Sequence, residues 1–144
     1  IMDKINGNPR EYPYYYLHMD SCFDLSPGHV WCKRVFKDLL REVPADILAK
    51  KICCFQFHGY HSKKYHPLGK SYLASQLKTF EQIRRMMDRG ILIVLMRSKR
   101  IWFEALPPLA TYTNFIQLRN PRNPTISRGN MGADDFDKIL KALK

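Results

Sequence analysis

One stretch decides the fold class: Ile91-Leu92-Ile93-Val94-Leu95-Met96, followed directly by Arg97-Ser98-Lys99-Arg100. An unbroken apolar run of this length is typical of a strand that is covered on both faces of a parallel sheet. The basic residues that follow lead into a helical pattern. Strand, loop and helix in this order form the repeating unit of α/β proteins.

Two other short apolar runs, Ile52–Phe57 and Phe115–Leu118, also predict strands. Apolar residues at helical spacing predict helices that start after Ser26 and end before Pro44, that run from Gly69 to Gly90, and that close the chain. The buried stripe expected for the Gly69–Gly90 helix is Leu73, Leu77, Phe80, Ile83 and Met87, and that of the last helix is Phe136, Ile139, Leu140 and Leu143. Three strands that alternate with helices predict an α/β fold, a three-layer α/β/α sandwich with a central, mostly parallel sheet, in a single domain over residues 1–144.

Composition narrows the class of protein. The 144 residues include 24 Lys and Arg against 13 Asp and Glu, a net charge of +11, so an anionic partner such as nucleic acid is expected. No apolar run approaches the roughly 20 residues that span a bilayer, and we expect a cytoplasmic, monomeric protein. The cysteines, Cys22, Cys32, Cys53 and Cys54, are expected to be buried reduced thiols. Because Ile1 precedes a Met, the chain is expected to be a fragment of a longer parent.

Ligands of parallel α/β sheets gather beyond the carboxyl ends of the strands. The third such segment, Arg119–Arg128, holds two prolines, two asparagines and three arginines, and guanidinium groups on a stiff loop suit phosphate oxygens. The alternative is a turn in which the Asn-Pro pairs serve only geometry and the arginines are solvated. Arg97-Ser98-Lys99 likewise offers either a phosphate site at a helix start or a solvated basic surface.

The segment Phe115–Leu143 resembles the closing segment of the uracil-DNA glycosylase superfamily, where a strand leads into a His-Pro-Ser-Pro loop, then Arg-Gly and a helix. Written without gaps, Asn120-Pro121-Arg122-Asn123 falls on that loop. Arg128-Gly129 and Phe136 then fall on the family's Arg-Gly and on its helix aromatic.

A second register is open, because the single-strand-selective branch of the superfamily carries Pro-Arg-Asn-Pro in this loop and Pro121-Arg122-Asn123-Pro124 reproduces it. The family His then falls on Leu118. In both registers this His is not matched. The family's first motif, Gly-x-Asp-Pro, is not matched securely either, because no apolar strand precedes Gly7-Asn8-Pro9, so we expect it upstream of Ile1.

The resemblance implies a DNA-binding protein that flips a uracil-like base out of DNA and hydrolyses its N-glycosidic bond in DNA repair. It implies that Gln56 or His58 reads the base edge and that Tyr15 or Tyr16 stacks on the base. The residues expected to hold the nucleic acid are Arg97, Ser98, Lys99, Arg119, Pro121, Arg122, Asn123 and Arg128.

Negative charge on the departing base needs a hydrogen-bond donor, and the candidates are Asn120 and His61. The reaction implied requires no metal and no cofactor. The pair His58-x-x-His61 lacks a suitably spaced acidic or Cys ligand, so a metal site is not expected. Two alternatives stay open: a noncatalytic nucleic-acid-binding relative of that fold, and an α/β domain that binds a nucleotide or another phosphate compound.

Overall fold

A computed structural model of the chain describes residues 26–59 and 71–144. The elements in chain order are α1 (Pro27–Val35), α2 (Leu39–Glu42), α3 (Ala45–Lys51), α4 (Ala74–Asp88), β1 (Ile93–Leu95), α5 (Lys99–Ala105), a 3-10 helix (Pro107–Thr111), β2 (Phe115–Gln117), α6 (Arg128–Met131) and α7 (Ala133–Leu143). The chain divides into two compact units, a first unit of Ile1–Cys54 with Leu118–Lys144 and a second unit of Phe55–Gln117. The single domain over residues 1–144 stays a prediction.

The two strands lie in the second unit and form a parallel pair. Ile93 is in register with Phe115, and Leu95 with Gln117. The connection between them contains α5 and the 3-10 helix, so this part of the chain is a β-α-β unit. The predictions of strands within Ile91–Met96 and Phe115–Leu118, and of a parallel pairing between them, are confirmed.

The predicted strand at Ile52–Phe57 is wrong. Residues 52–57 form no strand, and the boundary between the two units falls inside this run, between Cys54 and Phe55. The Phe57 carbonyl accepts a hydrogen bond from Nε2 of Gln76 at 3.0 Å instead of pairing with a strand. The run is apolar because Phe55 and Phe57 pack against a hydrophobic core, which side chains do without a backbone ladder.

The core of the second unit forms between α4, β1, α5 and the 3-10 helix. Its buried members are Phe80, Ile83, Leu95, Trp102, Ala105, Leu106 and Leu109. Helix α4 ends at Asp88, and the predicted terminating glycine, Gly90, follows its C-cap with a φ of 69°, which favours glycine. The Ile91 N–H donates to the Met86 carbonyl and the Gly90 N–H to that of Met87, which is a Schellman motif. The predicted burial of Leu73 and Leu77 is wrong, since both are exposed.

The first unit is helical in its described residues. The helix predicted between Ser26 and Pro44 is confirmed in its limits but is broken after Val35. The reason is tertiary: the Val35 carbonyl accepts a hydrogen bond from the Ile126 N–H at 2.9 Å. Helix α3 was not predicted, and it contacts α7. In α7, the predicted burial of Phe136, Ile139 and Leu143 is confirmed.

Cysteine burial follows the prediction in part. Cys32 is buried, Cys54 is half-buried, Cys53 is exposed, and Cys22 lies outside the described residues. None of the helices formed by residues 26–59 and 71–144 has the length and apolar composition that crossing a bilayer requires.

Candidate nucleic-acid interface

The segment from Leu118 to Met131, a loop that leads into the short helix α6 and is called the arginine loop below, lies entirely in the first unit. The buried side chain of Asn130 organises it. Its Oδ1 accepts a hydrogen bond from the Asn120 N–H at 2.7 Å. Its Nδ2 donates to the carbonyls of Asn123 at 2.8 Å and Thr125 at 3.0 Å, with a longer contact of 3.4 Å to the Asn120 carbonyl. One amide therefore satisfies polar backbone groups across the whole bend.

A second asparagine turns the tip of the arginine loop. Oδ1 of Asn120 accepts from the backbone N–H groups of Arg122 at 3.1 Å and Asn123 at 3.3 Å. A side chain that caps the backbone two and three residues on is an Asx-type turn. Asn120, of the first Asn-Pro pair, therefore serves the turn geometry that the alternative interpretation of this loop predicts. The role of Asn120 as donor to a departing base stays a prediction, and its side-chain oxygen is occupied within the loop.

Both ends of the arginine loop are anchored as well. The Arg119 N–H donates to the Asn130 carbonyl at 2.8 Å, and the Ile126 N–H donates to Val35. Leu118 and Ile126 are 1% and 3% exposed, so apolar side chains fix the loop on either side of its tip. These contacts restrain the loop backbone on both sides of the tip.

The three arginines of the loop differ in what they contact. A Cβ built on Gly132 would lie 2.8 Å from Nη2 of Arg119, so this guanidinium lies against the glycine backbone. The Arg128 guanidinium lies over the Phe136 ring, 4.8 Å from its centroid, and its Nη2 is 2.8 Å from Oδ1 of Asp137. The hydrogen bond to Asp137 raises the pKa of Arg128.

Arg122 occupies the exposed tip, between Pro121 and Asn123, which are also exposed. No ion pair joins it to an acidic residue of the described ranges. The sequence from residue 105 to 133 contains no Asp or Glu at all, whereas it contains all three arginines of the loop. The tip is therefore cationic, and hydrogen bonds between its backbone and the side chains of Asn120 and Asn130 hold it in place.

Arg97, Ser98 and Lys99 lie in the second unit, directly after β1, and all three are exposed. Ser98 has left-handed backbone angles, φ 62° and ψ 37°, and its side chain makes no capping hydrogen bond to α5. The Lys99 ammonium lies over the Phe103 ring, 5.3 Å from its centroid. These three residues form an exposed basic turn at the start of α5. That they bind a phosphate stays a prediction.

The predicted base-reading residues also lie in the second unit. Gln56 is exposed and follows no strand, which corrects the prediction that a strand end positions it. The His58 ring is half-buried, in edge-to-face contact with Phe57 at a centroid distance of 5.0 Å. Tyr15, Tyr16 and His61 lie outside the described residues.

Sequence reasoning missed Asn130. The chain has several asparagines in or near this loop, and nothing in their spacing marks the one whose side chain faces inward. Within residues 26–59 and 71–144, no group of three His, Cys, Asp or Glu side chains is arranged to hold a metal ion. Comparison of the chain with protein-family models, with curated proteins and with solved structures finds no match.

Proposed function

We propose that the arginine loop binds the phosphate backbone of a nucleic acid. The observation that carries the proposal is the combination of a buried Asn130 amide, which fixes the loop backbone, with an exposed cationic tip at Pro121-Arg122-Asn123. A loop that is already ordered loses little conformational entropy when it binds. Arginine donates paired hydrogen bonds to phosphate oxygens, which a solvated lysine does less well.

The arginines make unequal contributions in this proposal. Arg122 contacts phosphate first, because it stands at the tip. Arg128 contributes only when phosphate replaces Asp137 as the acceptor, since that carboxylate already occupies its Nη2. Binding of this kind reads the backbone and not the base sequence.

Excision of a uracil-like base is the second candidate function, and the exposed Pro121-Arg122-Asn123 tip, whose backbone is held by Asn120 and Asn130, supports it. A loop pressed into the minor groove must not yield, because its rigidity helps hold an extruded base out of the stack. In this candidate the β-α-β unit belongs to a three-layer sandwich, and the amide nitrogen of Asn120 is the part of that side chain available to the departing base.

The test of the first candidate is oligonucleotide binding measured by fluorescence anisotropy over a range of salt concentrations. We expect affinity to fall steeply with salt, because bound phosphates release counterions. Arg122→Ala should weaken binding several-fold for every sequence and make the log–log salt slope shallower by about one. Lys141→Ala is the matched control: it removes one exposed charge from the far end of α7, about 12 Å along the helix from its start, and should change the slope much less.

Three results bear on the alternatives. Equal effects of Arg122→Ala and Lys141→Ala would contradict a role for the loop, since binding would then follow net charge alone. Tight mononucleotide binding with no dependence on strand length would favour a phosphate-compound-binding domain. Alkaline cleavage of a uracil-containing oligonucleotide at the uracil position, after incubation with the protein, would support the excision candidate.

A further inference from the structure

Three of the five large hydrophobic residues that are exposed among residues 26–59 and 71–144 lie together at the start of helix α4. Tyr72, Leu73 and Leu77 are 41%, 41% and 54% exposed, and they lie within six residues of one another. Isolated exposed apolar side chains are common, but adjacent ones mark interaction surfaces. These three residues, called the Tyr72 patch below, belong to the second unit, whereas the arginine loop belongs to the first.

The Tyr72 ring is held by its neighbours. It lies at 88° to the Phe80 ring, with 5.2 Å between centroids, and at 76° to the Phe57 ring, with 6.3 Å between centroids. Phe57 and Phe80 in turn contact Trp102 edge to face. The exposed ring is therefore the outer member of an aromatic cluster that reaches the buried core.

A buried amide fixes the backbone beneath the ring. Gln76 is 4% exposed; its Oε1 accepts from the Leu73 N–H at 3.0 Å, and its Nε2 donates to the Phe57 carbonyl at 3.0 Å. These two hydrogen bonds join the helix start to the segment that carries Phe57. The backbone on either side of the Tyr72 ring is therefore fixed by hydrogen bonds, and the ring itself is held by Phe57 and Phe80.

Charge selects among the possible occupants of the patch. Lys78, directly after Leu77, is exposed; Arg84 follows in α4 and Arg89 directly after it, whereas Arg85 is paired with Glu81. The described residues of the second unit contain seven Lys and Arg against three Asp and Glu. An apolar peptide would use the patch but not the cations, whereas an unpaired nucleic-acid strand offers both a base to stack and phosphates to pair.

We propose that Tyr72 stacks on an unpaired base of a single-stranded nucleic acid, with Leu73 and Leu77 beside the base and Lys78 toward its phosphate. The inference rests on the proposed function, because it assumes that the chain binds nucleic acid. It adds a second contact point, in the other unit, and it names the class of ligand. A base in a duplex is stacked between its neighbours and is closed to Tyr72, so single strands should be preferred.

Two labelled 12-mers test the inference on the full chain: oligo-dT, and a strand of abasic residues with the same phosphates. Stacking on aromatic side chains contributes on the order of tenfold in affinity per base. We expect the chain to bind oligo-dT about tenfold more tightly than the abasic strand. Tyr72→Ala should remove that preference while it leaves abasic binding unchanged, and Tyr72→Phe should retain it. Leu77→Ala, which removes a more exposed apolar side chain from the same patch, should reduce the preference much less.

The outcomes separate this inference from the proposed function. Arg122→Ala should weaken binding of both strands by the same factor, because both carry phosphates. If the chain binds both strands equally, the stacking inference is wrong and the proposed function stands. If the chain binds neither strand, both are wrong. If Leu77→Ala removes the preference and Tyr72→Ala does not, the patch is an apolar docking surface and not a stacking platform.

Discussion

Replacing Asn130 by aspartate tests the hydrogen-bond frame of the arginine loop with the smallest change of shape. The new carboxylate can still accept from the Asn120 N–H, which lies 2.7 Å from Oδ1 of Asn130. It cannot donate to the carbonyls of Asn123 and Thr125, which accept from Nδ2 at 2.8 and 3.0 Å. An acceptor oxygen would face two carbonyl oxygens at a position that is 7% exposed.

The expected destabilisation follows from these two lost hydrogen bonds. A buried acceptor left without a partner costs about 1–3 kcal/mol. Because the loop is at the surface, we take the lower half of that range for each carbonyl, so Asn130→Asp should lower the free energy of unfolding by about 2–4 kcal/mol at pH 7. That is a large part of the roughly 5–15 kcal/mol that stabilises a typical protein.

The effect of Asn130→Asp should depend on pH in a defined direction. Burial and the facing carbonyl oxygens disfavour the charged form, so the pKa of the introduced carboxyl is higher in the folded than in the unfolded state. A protonated carboxyl can donate one of the lost hydrogen bonds. The variant should therefore be closest to the unmodified protein below about pH 4, the unfolded-state pKa, and should lose stability as the pH rises through the folded-state pKa.

Urea unfolding followed by circular dichroism measures this effect. Asn123→Asp is the matched control, because it introduces the same carboxylate at an exposed position of the same loop and should change the free energy of unfolding by less than about 0.5 kcal/mol. Equal unfolding free energies for the two variants at pH 7 would refute the view that Asn130 holds the loop.

Two further predictions follow from the contacts around α7. Asp137→Asn removes the carboxylate that holds Arg128, so we expect oligonucleotide affinity to rise about two- to fivefold. Asp134→Asn is the control, because it changes the net charge equally, and it should raise the affinity less. Equal increases for the two variants would show that Asp137 does not compete with phosphate. Gly132→Ala places a side chain at φ 108° and should destabilise the fold by about 1–2 kcal/mol. Gly129→Ala lies in α6 with nothing within 4 Å of the new Cβ, so it should be neutral or slightly stabilising in thermal unfolding; the reverse order would contradict the backbone geometry at Gly132.

Local signals predicted the elements whose patterns are self-contained. Helix α7 buries Phe136, Ile139 and Leu143 as its spacing predicts, with Leu140 half-buried, and Gly90 allows the chain to leave α4 through its own backbone freedom. The β1 run was recognised because six apolar residues in succession suit a covered strand. Leu73 and Leu77 were predicted to be buried because they continue the stripe of Phe80 and Ile83, but a helix face is buried only as far as another element covers it.

Local apolar patterns gave wrong predictions where a hydrogen bond to a residue far along the chain determines the backbone structure. The Ile52–Phe57 run has the composition of a strand, but its Phe57 carbonyl is taken by the side chain of Gln76. The helix after Ser26 breaks at Val35 because the Ile126 N–H, far along the chain, donates to the Val35 carbonyl. Neither hydrogen bond has a local signature in the sequence.

Composition and local patterns are enough to establish the charge of this protein, its mixed helix and strand character, and the position of a loop rich in arginine and proline. These properties depend on composition and on short-range spacing, which the chain carries at every stage of folding. Contacts between distant residues settle which asparagine faces inward to hold that loop, which arginine is paired with Asp137, and which aromatic residue is left partly exposed. Those outcomes depend on groups that are distant in sequence or on one side chain's direction, and a buried hydrogen bond is formed only when the fold brings its donor and acceptor within about 3 Å.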